Sequence, residues 1–222
     1  MKGTRHRGVL RLAAWLCATL LALGWSGTTL AQQAPLRLNY EYRLIDPQPI
    51  ATAERIEVVE FFWYGCPYCY QLQGPLENWL ARKPADVELR HVPALFRDSW
   101  VPHARLFYTL EALGEVKRLH QAVYRAIHVD GGKLMDANTT ADWAARNGID
   151  PTRWLAAYKS PEVDRKVEQA RSATTAYALE GTPSLVVDGR FLTSSGMTET
   201  VPGVIPILEG LIRLARERRA GK

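Results

Sequence analysis

A nearly continuous apolar run at residues 56–64 (IEVVEFFWY) ends at Gly65 and leads directly into a Cys-Pro-Tyr-Cys segment at 66–69. An unbroken run of β-branched and aromatic residues is typical of a central strand that is covered on both faces. Apolar residues then recur at helical spacing over 67–82. The two cysteines are therefore expected where a buried strand ends and a helix begins, and this junction requires a sheet with helices packed against it.

Other segments predict further strands. Residues 36–45 alternate apolar and polar side chains, which is the period of a half-buried strand. Residues 87–92 alternate in the same way and complete a strand-helix-strand unit, which is parallel and right-handed in the usual case. Near the C-terminus, Asp188-Gly189 separates two short apolar segments, 184–187 and 190–193, and predicts a β-hairpin.

The remaining regular segments are helical. Residues 99–179 show helical spacing with short breaks, and this length is too great for a loop. We therefore expect an all-helical subdomain inserted at about 97–179. A closing helix begins after Pro202 and ends near Arg219. Within the first helix, Gly74-Pro75 predicts a kink or break, because proline lacks the amide hydrogen and crowds the preceding turn.

The first 31 residues have the pattern of a signal peptide. Four Lys or Arg residues precede 14 uncharged residues at 12–25, and short residues lead to Ala31. Cleavage after Ala31 would leave one domain at 32–222 and lower the formal net charge from +5 to +1. An uncleaved membrane anchor is the alternative. Because the acids and bases of the remaining chain balance, nucleic acid is not an expected partner.

Cleavage would also remove Cys17 and leave Cys66 and Cys69 as the only cysteines. An exported protein lives where disulfides form, but a loop this small stabilises a fold little, so the pair is better explained by chemistry. At a helix start, free amides and the helix dipole stabilise a thiolate on Cys66. We expect Cys66 to be the nucleophile that is joined to the substrate and Cys69 to resolve that mixed disulfide.

Two other interpretations of the cysteine pair stay open. It could be half of a zinc site, with two further ligands from His91, His103, His120 and His128, but none of these stands at a usual spacing from another Cys or His. His120 and His128 are expected to be ordinary surface or core residues. The pair could also be an inert local disulfide. Neither a metal nor a cofactor is expected.

Two parts of the chain resemble the DsbA family of periplasmic thiol:disulfide oxidoreductases. They are residues 60–62 (EFF) with 66–71 (CPYCYQ), and residues 181–189 (GTPSLVVDG). The order of elements is similar over 36–219. The resemblance implies an α/β thioredoxin-like fold, in which a central mixed sheet is flanked by helices and interrupted by the helical insertion.

The resemblance also implies that Thr182-Pro183 is a cis peptide that faces the dithiol. Because Pro183 cannot donate a backbone hydrogen bond, an edge is left where an extended substrate pairs with the Thr182 backbone. Pro67 and Tyr68, between the cysteines, are expected to contact the substrate as well. Tyr68 stands where the best-known members have histidine. Without that histidine's positive charge or hydrogen bond near Cys66, we expect a weaker oxidant.

Glu60 is an acid in the middle of the apolar strand. A carboxylate is expensive to bury in its charged form. Such a group could take and return the proton of Cys69 during exchange, and the family has an acid with that proposed role at the matching position. The alternative is a structurally satisfied or partly hydrated glutamate.

The resemblance implies an enzyme that donates its Cys66–Cys69 disulfide to unfolded or newly exported proteins in the periplasm. It further implies reoxidation by a membrane partner of the DsbB type, and we expect a monomer. A periplasmic isomerase or reductase is an alternative, although such relatives carry an N-terminal dimerisation domain for which residues 32–55 leave no room. A non-catalytic peptide-binding or chaperone module is a third interpretation.

Overall fold

The computed structural model describes residues 35–51 and 54–221. The signal peptide predicted at 1–31 lies outside the described residues. In the part of the chain that is described, no helix is both long enough and apolar enough to cross a membrane.

Five strands of the described residues form one mixed sheet in the order β1-β5-β4-β2-β3. The strands are Arg43–Leu44 (β1), Ile56–Phe62 (β2), Val87–Pro93 (β3), Ser184–Val187 (β4) and Phe191–Ser194 (β5). β2 pairs with β3 in parallel and with β4 in antiparallel orientation. β2 therefore lies inside the sheet, as its nearly continuous apolar run predicted, and all of its residues are buried.

The hairpin predicted at Asp188-Gly189 joins β4 to β5. Both turn residues have positive φ angles, 54° at Asp188 and 63° at Gly189. Asp and Gly are among the residues that tolerate this conformation, which a two-residue hairpin turn requires. The local sequence alone therefore specified this turn.

Seven α-helices accompany the sheet within the described ranges. They are Pro67–Leu80 (α1), Val101–Ala112 (α2), Val116–His128 (α3), Ala137–Arg146 (α4), Pro151–Tyr158 (α5), Pro161–Ala176 (α6) and Val204–Ala220 (α7). α1 connects β2 to β3, and α7 closes the chain. α2 to α6 all lie between β3 and β4 in the sequence, so they form the predicted helical insertion.

Each face of the sheet has its own apolar core. Because successive residues of a strand point to opposite faces, Val58 belongs to one core and Val59 to the other. Val58 shares its core with Leu72 of α1 and Leu208 of α7. Val59 shares its core with the helical insertion, for example with Leu106 of α2. The insertion thus covers one face of the sheet rather than extending away from it.

The strand predicted over 36–45 is wrong for most of its length. Only Arg43–Leu44 pairs with β5. Upstream the chain turns, and Glu41 N–H donates to the carbonyl oxygen of Arg37 over 2.9 Å. Tyr40 is 71% exposed, so the alternation does not mark a buried face. Local hydrogen bonds within the turn satisfy backbone groups that a ladder would otherwise have used.

Of the kink or break predicted at Gly74-Pro75, the break is wrong, because α1 is one helix from Pro67 to Leu80. Leu72, Leu76 and Trp79 are buried on both sides of Pro75. The packing of these side chains outweighs the single backbone hydrogen bond that proline cannot make.

Candidate active site

The two cysteines lie at the start of α1, just beyond the carboxyl end of β2. Cys66 is the residue that caps the helix, and Pro67 takes the first helical position, where a missing N–H costs nothing. Cys69 N–H donates to Cys66 Sγ over 3.4 Å. A serine or aspartate oxygen usually accepts this bond. Here the sulfur accepts it, so a free amide of the helix end points directly at Cys66.

Gly65 allows the chain to turn from β2 into α1 close to Trp63. A β-carbon on Gly65 would lie 2.3 Å from the Trp63 ring. That ring stacks on Trp100, with the centroids 4.2 Å apart and the planes 2° apart, and the stacking holds it in place. Sequence reasoning treated Gly65 only as the end of the strand. The structure shows that a side chain at this position would displace the indole next to the dithiol.

The surroundings of Cys66 favour its thiolate. A hydrogen bond with the Cys69 thiol makes the largest contribution, a hydrogen bond with Thr182 and the backbone amides of Cys69 and Tyr68 add to it, and burial opposes them. Together they lower the pKa of Cys66 to about 6. At neutral pH the reduced protein therefore carries Cys66 mostly as the thiolate, which is the nucleophilic form.

Cys69 is in the opposite situation. It is completely buried. Burial, followed by its interaction with Cys66, raises the pKa of Cys69 well above the ordinary value, and the charge of Glu60 adds to the rise. Two thiols that are three residues apart thus differ strongly in acidity.

Thr182 and Pro183 face the dithiol from the start of β4. Their peptide bond is cis, as the family resemblance implied. The Cys66 thiol donates to the carbonyl oxygen of Thr182, with the sulfur 3.3 Å from the oxygen. Only the protonated sulfur can make this bond, because a carbonyl oxygen has no proton to donate to a thiolate. The Thr182 backbone is therefore within reach of whatever is bonded to Cys66.

Pro67 and Tyr68 lie on the surface beside Cys66. Pro67 is exposed, and 56% of Tyr68 is exposed. Tyr70 is 37% exposed and stacks on His128, with the ring centroids 4.9 Å apart. Tyr64 is fully buried. Only some of the aromatic residues near the sulfurs are therefore exposed.

Glu60 is fully buried and forms a cluster with Gln73, His91 and His120, which we call the buried polar cluster. Glu60 Oε2 lies 2.5 Å from His91 Nδ1. Glu60 Oε1 accepts from Gln73 Nε2 over 3.5 Å, and Gln73 Nε2 also donates to the carbonyl oxygen of Cys69 over 3.3 Å. Glu60 is thus hydrogen-bonded and is coupled to the Cys69 thiol through its charge. Among the hydrogen bonds of the described residues, none joins the two groups directly.

Sequence reasoning missed Gln73 and His91. His91 reaches Glu60 because the parallel pairing of β2 with β3 places the two residues directly opposite each other. Gln73 lies one helical turn beyond Cys69 on the same face of α1. Of these two relations, only the position of Gln73 one turn beyond Cys69 could be predicted from the sequence spacing. That spacing does not by itself distinguish Gln73 from a core residue.

The helical insertion closes the rear of the site through α3. His120, Tyr124 and His128 recur every four residues on one face of this helix. The Tyr64 hydroxyl lies 2.8 Å from His120 Nδ1, and His128 Nε2 lies 2.8 Å from the carbonyl oxygen of Tyr64. Burial, with the charge of His91, holds the pKa of His120 well below its ordinary value. The expectation that His120 and His128 are ordinary residues overlooked these contacts with the segment that carries the cysteines.

A pair of thiols of unequal acidity at a helix start, opposite a cis proline on a mixed sheet, defines a site for thiol–disulfide exchange on a thioredoxin-like fold. Comparisons with known proteins agree. A family model described as a DSBA-like thioredoxin domain matches residues 57–203. The chain belongs to this family, so the resemblance inferred from the sequence is confirmed.

Individual relatives cover nearly the whole chain. A protein called Thiol:disulfide interchange protein DsbA from Azotobacter vinelandii is 38% identical over 209 residues, which is 93% of this chain and 97% of that protein. The protein of the same name from Burkholderia cepacia is 33% identical over 207 residues, 92% of this chain and 98% of its own length. The crystal structure of Pseudomonas aeruginosa DsbA matches with a TM-score of 0.79 at 34% identity, covering 84% of this chain and 97% of that chain.

Proposed function

We propose that this thiol:disulfide oxidoreductase oxidises newly exported proteins by donating its Cys66–Cys69 disulfide to them. The opposite acidity of the two sulfurs carries the proposal. A low pKa of Cys66 stabilises the reduced dithiol, so transfer of the disulfide to a substrate is favourable.

Oxidation proceeds through a mixed disulfide. A substrate thiolate attacks Cys66 Sγ, the Cys66–Cys69 bond breaks, and Cys69 leaves with the electron pair and takes up a proton. A second substrate thiolate then attacks the substrate sulfur of the mixed disulfide. Cys66 leaves as a thiolate, for which its low pKa makes it a good leaving group. Two electrons have then passed from the substrate to the enzyme.

Glu60 supplies the proton that the first step requires. Cys69 is a poor leaving group as a thiolate because its pKa is raised. Glu60 is buried behind Cys69 and is coupled to it by charge and through Gln73. A single intervening water suffices to carry a proton between two groups that are not in direct contact. Glu60 is thus a general acid in this step and a general base when the dithiol is reoxidised.

Substrate binding involves the surface around Cys66. The Thr182 backbone pairs with an extended segment of the substrate beside the cis Pro183, and Pro67 with the exposed Tyr68 offers an apolar contact. The chemistry needs no cofactor, because the two sulfurs carry the electrons. Apart from substrate proteins, we propose a DsbB-like membrane oxidase as the partner that removes these electrons, and a monomer as the working form.

The proposed location is the periplasm, reached by a signal peptide at residues 1–31 that is cleaved. The basic start, the uncharged run at 12–25 and the short residues before Gln32 support this proposal. The mature chain at 32–222 is then a thioredoxin-like domain with its helical insertion at about 97–179.

The test is the oxidation of a reduced, unfolded substrate protein by the purified oxidised enzyme. We expect rapid formation of substrate disulfides, and their complete loss in Cys66→Ser and in Cys69→Ser, because neither variant can form the disulfide that is donated. Activity that survives Cys66→Ser would reject the mechanism. Equilibration with glutathione tests the direction. A potential near about −270 mV, typical of a cytosolic reductant, would assign the protein to reduction instead.

A further inference from the structure

We propose that Glu60, His91 and His120 form a binding site for a divalent transition metal ion, with Zn²⁺ as the ion that their chemistry fits. The site is separate from the cysteines and needs neither sulfur as a ligand. It goes beyond the oxidation proposed above and does not depend on it.

The donor set and its spacing support the site. Each of the three residues offers one ligand atom, and these atoms all lie within 4.8 Å of one another. Two imidazoles and one carboxylate are a common ligand set for zinc, and a solvent molecule usually completes the tetrahedron. Bond lengths of about 2.0–2.1 Å place tetrahedral ligand atoms about 3.3 Å apart. Because the ligand atoms lie no more than 4.8 Å apart, binding requires them to shift relative to one another by at most about 1.5 Å.

His120 is prepared as a ligand by its neighbour. Its Nδ1 is engaged by the Tyr64 hydroxyl at 2.8 Å. Its Nε2 is buried and finds no hydrogen-bond partner among the residues that the structure describes. A buried nitrogen without a partner costs free energy, and a metal ion would remove that cost. Metal-binding histidines typically have the other ring nitrogen fixed by a second residue, as Tyr64 fixes this one.

His91 and Glu60 complete the set from the sheet. The rings of His91 and His120 have centroids 4.7 Å apart, so α3 and β3 bring both imidazoles to the same place. Glu60 Oε2 already lies against His91 Nδ1. Glu60 retains its second oxygen for Gln73, which would hold the carboxylate in orientation.

An ion can reach the cluster without crossing the dithiol. A cavity of about 380 Å³ lies between α1, β3 and α3, and both His91 and His120 line it. Glu77 and Lys117 also contribute to its wall, so part of the wall is polar and charged. The cavity provides both an entry path and room for the solvent ligand.

The test is isothermal titration of the tag-free mature protein with Zn²⁺, after both cysteines have been oxidised to the disulfide so that no thiol can bind. We expect one ion per chain and an affinity at least about tenfold weaker in His91→Gln and in His120→Gln, since each variant removes one ligand. His128→Gln is the matched control. It changes a histidine of the same helix that lies outside the cluster, and should bind as the wild type does.

Folding of the variants is checked by thermal unfolding with and without Zn²⁺. The ion should raise the Tm of the wild type and of His128→Gln, and this rise should vanish in His91→Gln, whose ring is partly exposed and whose loss is tolerable for the core. The absence of binding at millimolar Zn²⁺, or equal affinity in the wild type and both cluster variants, would overturn the site. The spectrum of Co²⁺ bound to the reduced protein provides a further test, because a thiolate charge-transfer band would reveal binding at cysteine instead.

Zinc should also slow substrate oxidation, in so far as Glu60 has the role proposed above, because a metal-bound carboxylate cannot exchange a proton with Cys69. This result separates the two proposals. Zinc that binds but does not slow oxidation would contradict the role of Glu60 and leave the metal site intact. Zinc that does not bind would contradict the site and leave the oxidation mechanism intact.

Discussion

The surroundings of the two sulfurs differ in kind. Cys66 caps the N-terminal end of α1, where hydrogen bonds with the Cys69 thiol, with Thr182 and with amides of the first helical turn lower its pKa. Cys69 lies against the buried polar cluster, where desolvation and the charge of Glu60 raise its pKa. The comparison shows that two chemically identical side chains take different roles in the reaction because of their positions alone. One sulfur becomes a good nucleophile and leaving group, and the other requires a proton.

The two surroundings also differ in origin. Most of the donors around Cys66 are local, because one helix start supplies them, and Thr182 adds to them from the start of β4. The buried polar cluster is assembled from β2, α1, β3 and α3, and its members Glu60 and His120 are 60 residues apart in the sequence. Substitutions should therefore affect the two regions separately, and the four predictions below use this separation.

The largest expected effect is a pH-dependent stability of the reduced protein that depends on Cys66. The pKa of Cys66 is lower in the folded protein, about 6, than the ordinary value of 9.0. Its contribution is fully present above pH 9 and is lost as the pH falls through 6. With an allowance for solvent screening, the loss between pH 8 and pH 5 is about 2 kcal/mol. Urea unfolding of the reduced wild type, compared with reduced Cys66→Ser, measures it.

Equal pH dependence in these two proteins would show that the Cys66 region does not favour the thiolate. Measurement below pH 8 separates the ionisation of Cys66 from that of Cys69, because the pKa of Cys69 is raised and this thiol ionises only in more alkaline solution.

The second largest effect is expected for a substitution in the buried polar cluster alone. Glu60→Gln removes the proposed proton donor and should slow substrate oxidation about tenfold, less than a typical general acid because water in the adjoining cavity can substitute. It should also lower the pKa of Cys69 while leaving that of Cys66 nearly unchanged, since the charge of Glu60 acts on the former. Stopped-flow oxidation and thiol titration provide both values.

Glu57→Gln is the matched control for this prediction. Glu57 is a buried acid on the same strand. It forms an ion pair with Arg90, with 3.0 Å between Glu57 Oε1 and Arg90 Nε, and this pair does not involve the sulfurs. A decrease in rate of the same size in both variants would mean that the effect comes from loss of any buried charge on β2, and not from a proton held near Cys69.

A smaller effect is expected for Tyr64→Phe, which removes the hydroxyl that contacts His120 and changes little else. The free energy of unfolding should fall by about 1 kcal/mol, because a buried nitrogen loses its partner. Tyr124→Phe offers the contrast. The Tyr124 hydroxyl is buried without a partner among the described residues, so its removal should be neutral or stabilising. If both variants lose equal stability, then the packing of the hydroxyl group and not its hydrogen bond explains the result.

The smallest effect is expected beside Cys66, for Tyr68→His. A protonated imidazole beside Cys66 should favour the thiolate further and lower the pKa of Cys66 by about half a unit, which makes the potential about 15 mV more oxidising. Tyr68→Phe controls for the loss of the phenol. A redox titration against glutathione in which Tyr68→His leaves the potential unchanged would contradict this prediction.

Several parts of the fold were readable from short stretches of sequence. The buried strand β2, the start of α1 at Cys66-Pro67 and the Asp188-Gly189 hairpin all depend on residues that are close together in the chain, so propensity and periodicity were sufficient. The same locality placed the cysteines correctly at the helix start. At residues 36–45, the alternation of apolar and polar residues predicted a strand, but local hydrogen bonds form a turn over most of this segment.

The sequence by itself determined that two cysteines begin a helix behind a buried strand, because helix capping and strand burial are encoded within about 15 residues. It did not determine what lies behind Cys69. Strand register brought His91 to Glu60, and packing of the helical insertion brought His120 to both. Such contacts join residues that are distant in the chain, and only the tertiary structure decides them, because they form where separately folded elements pack together.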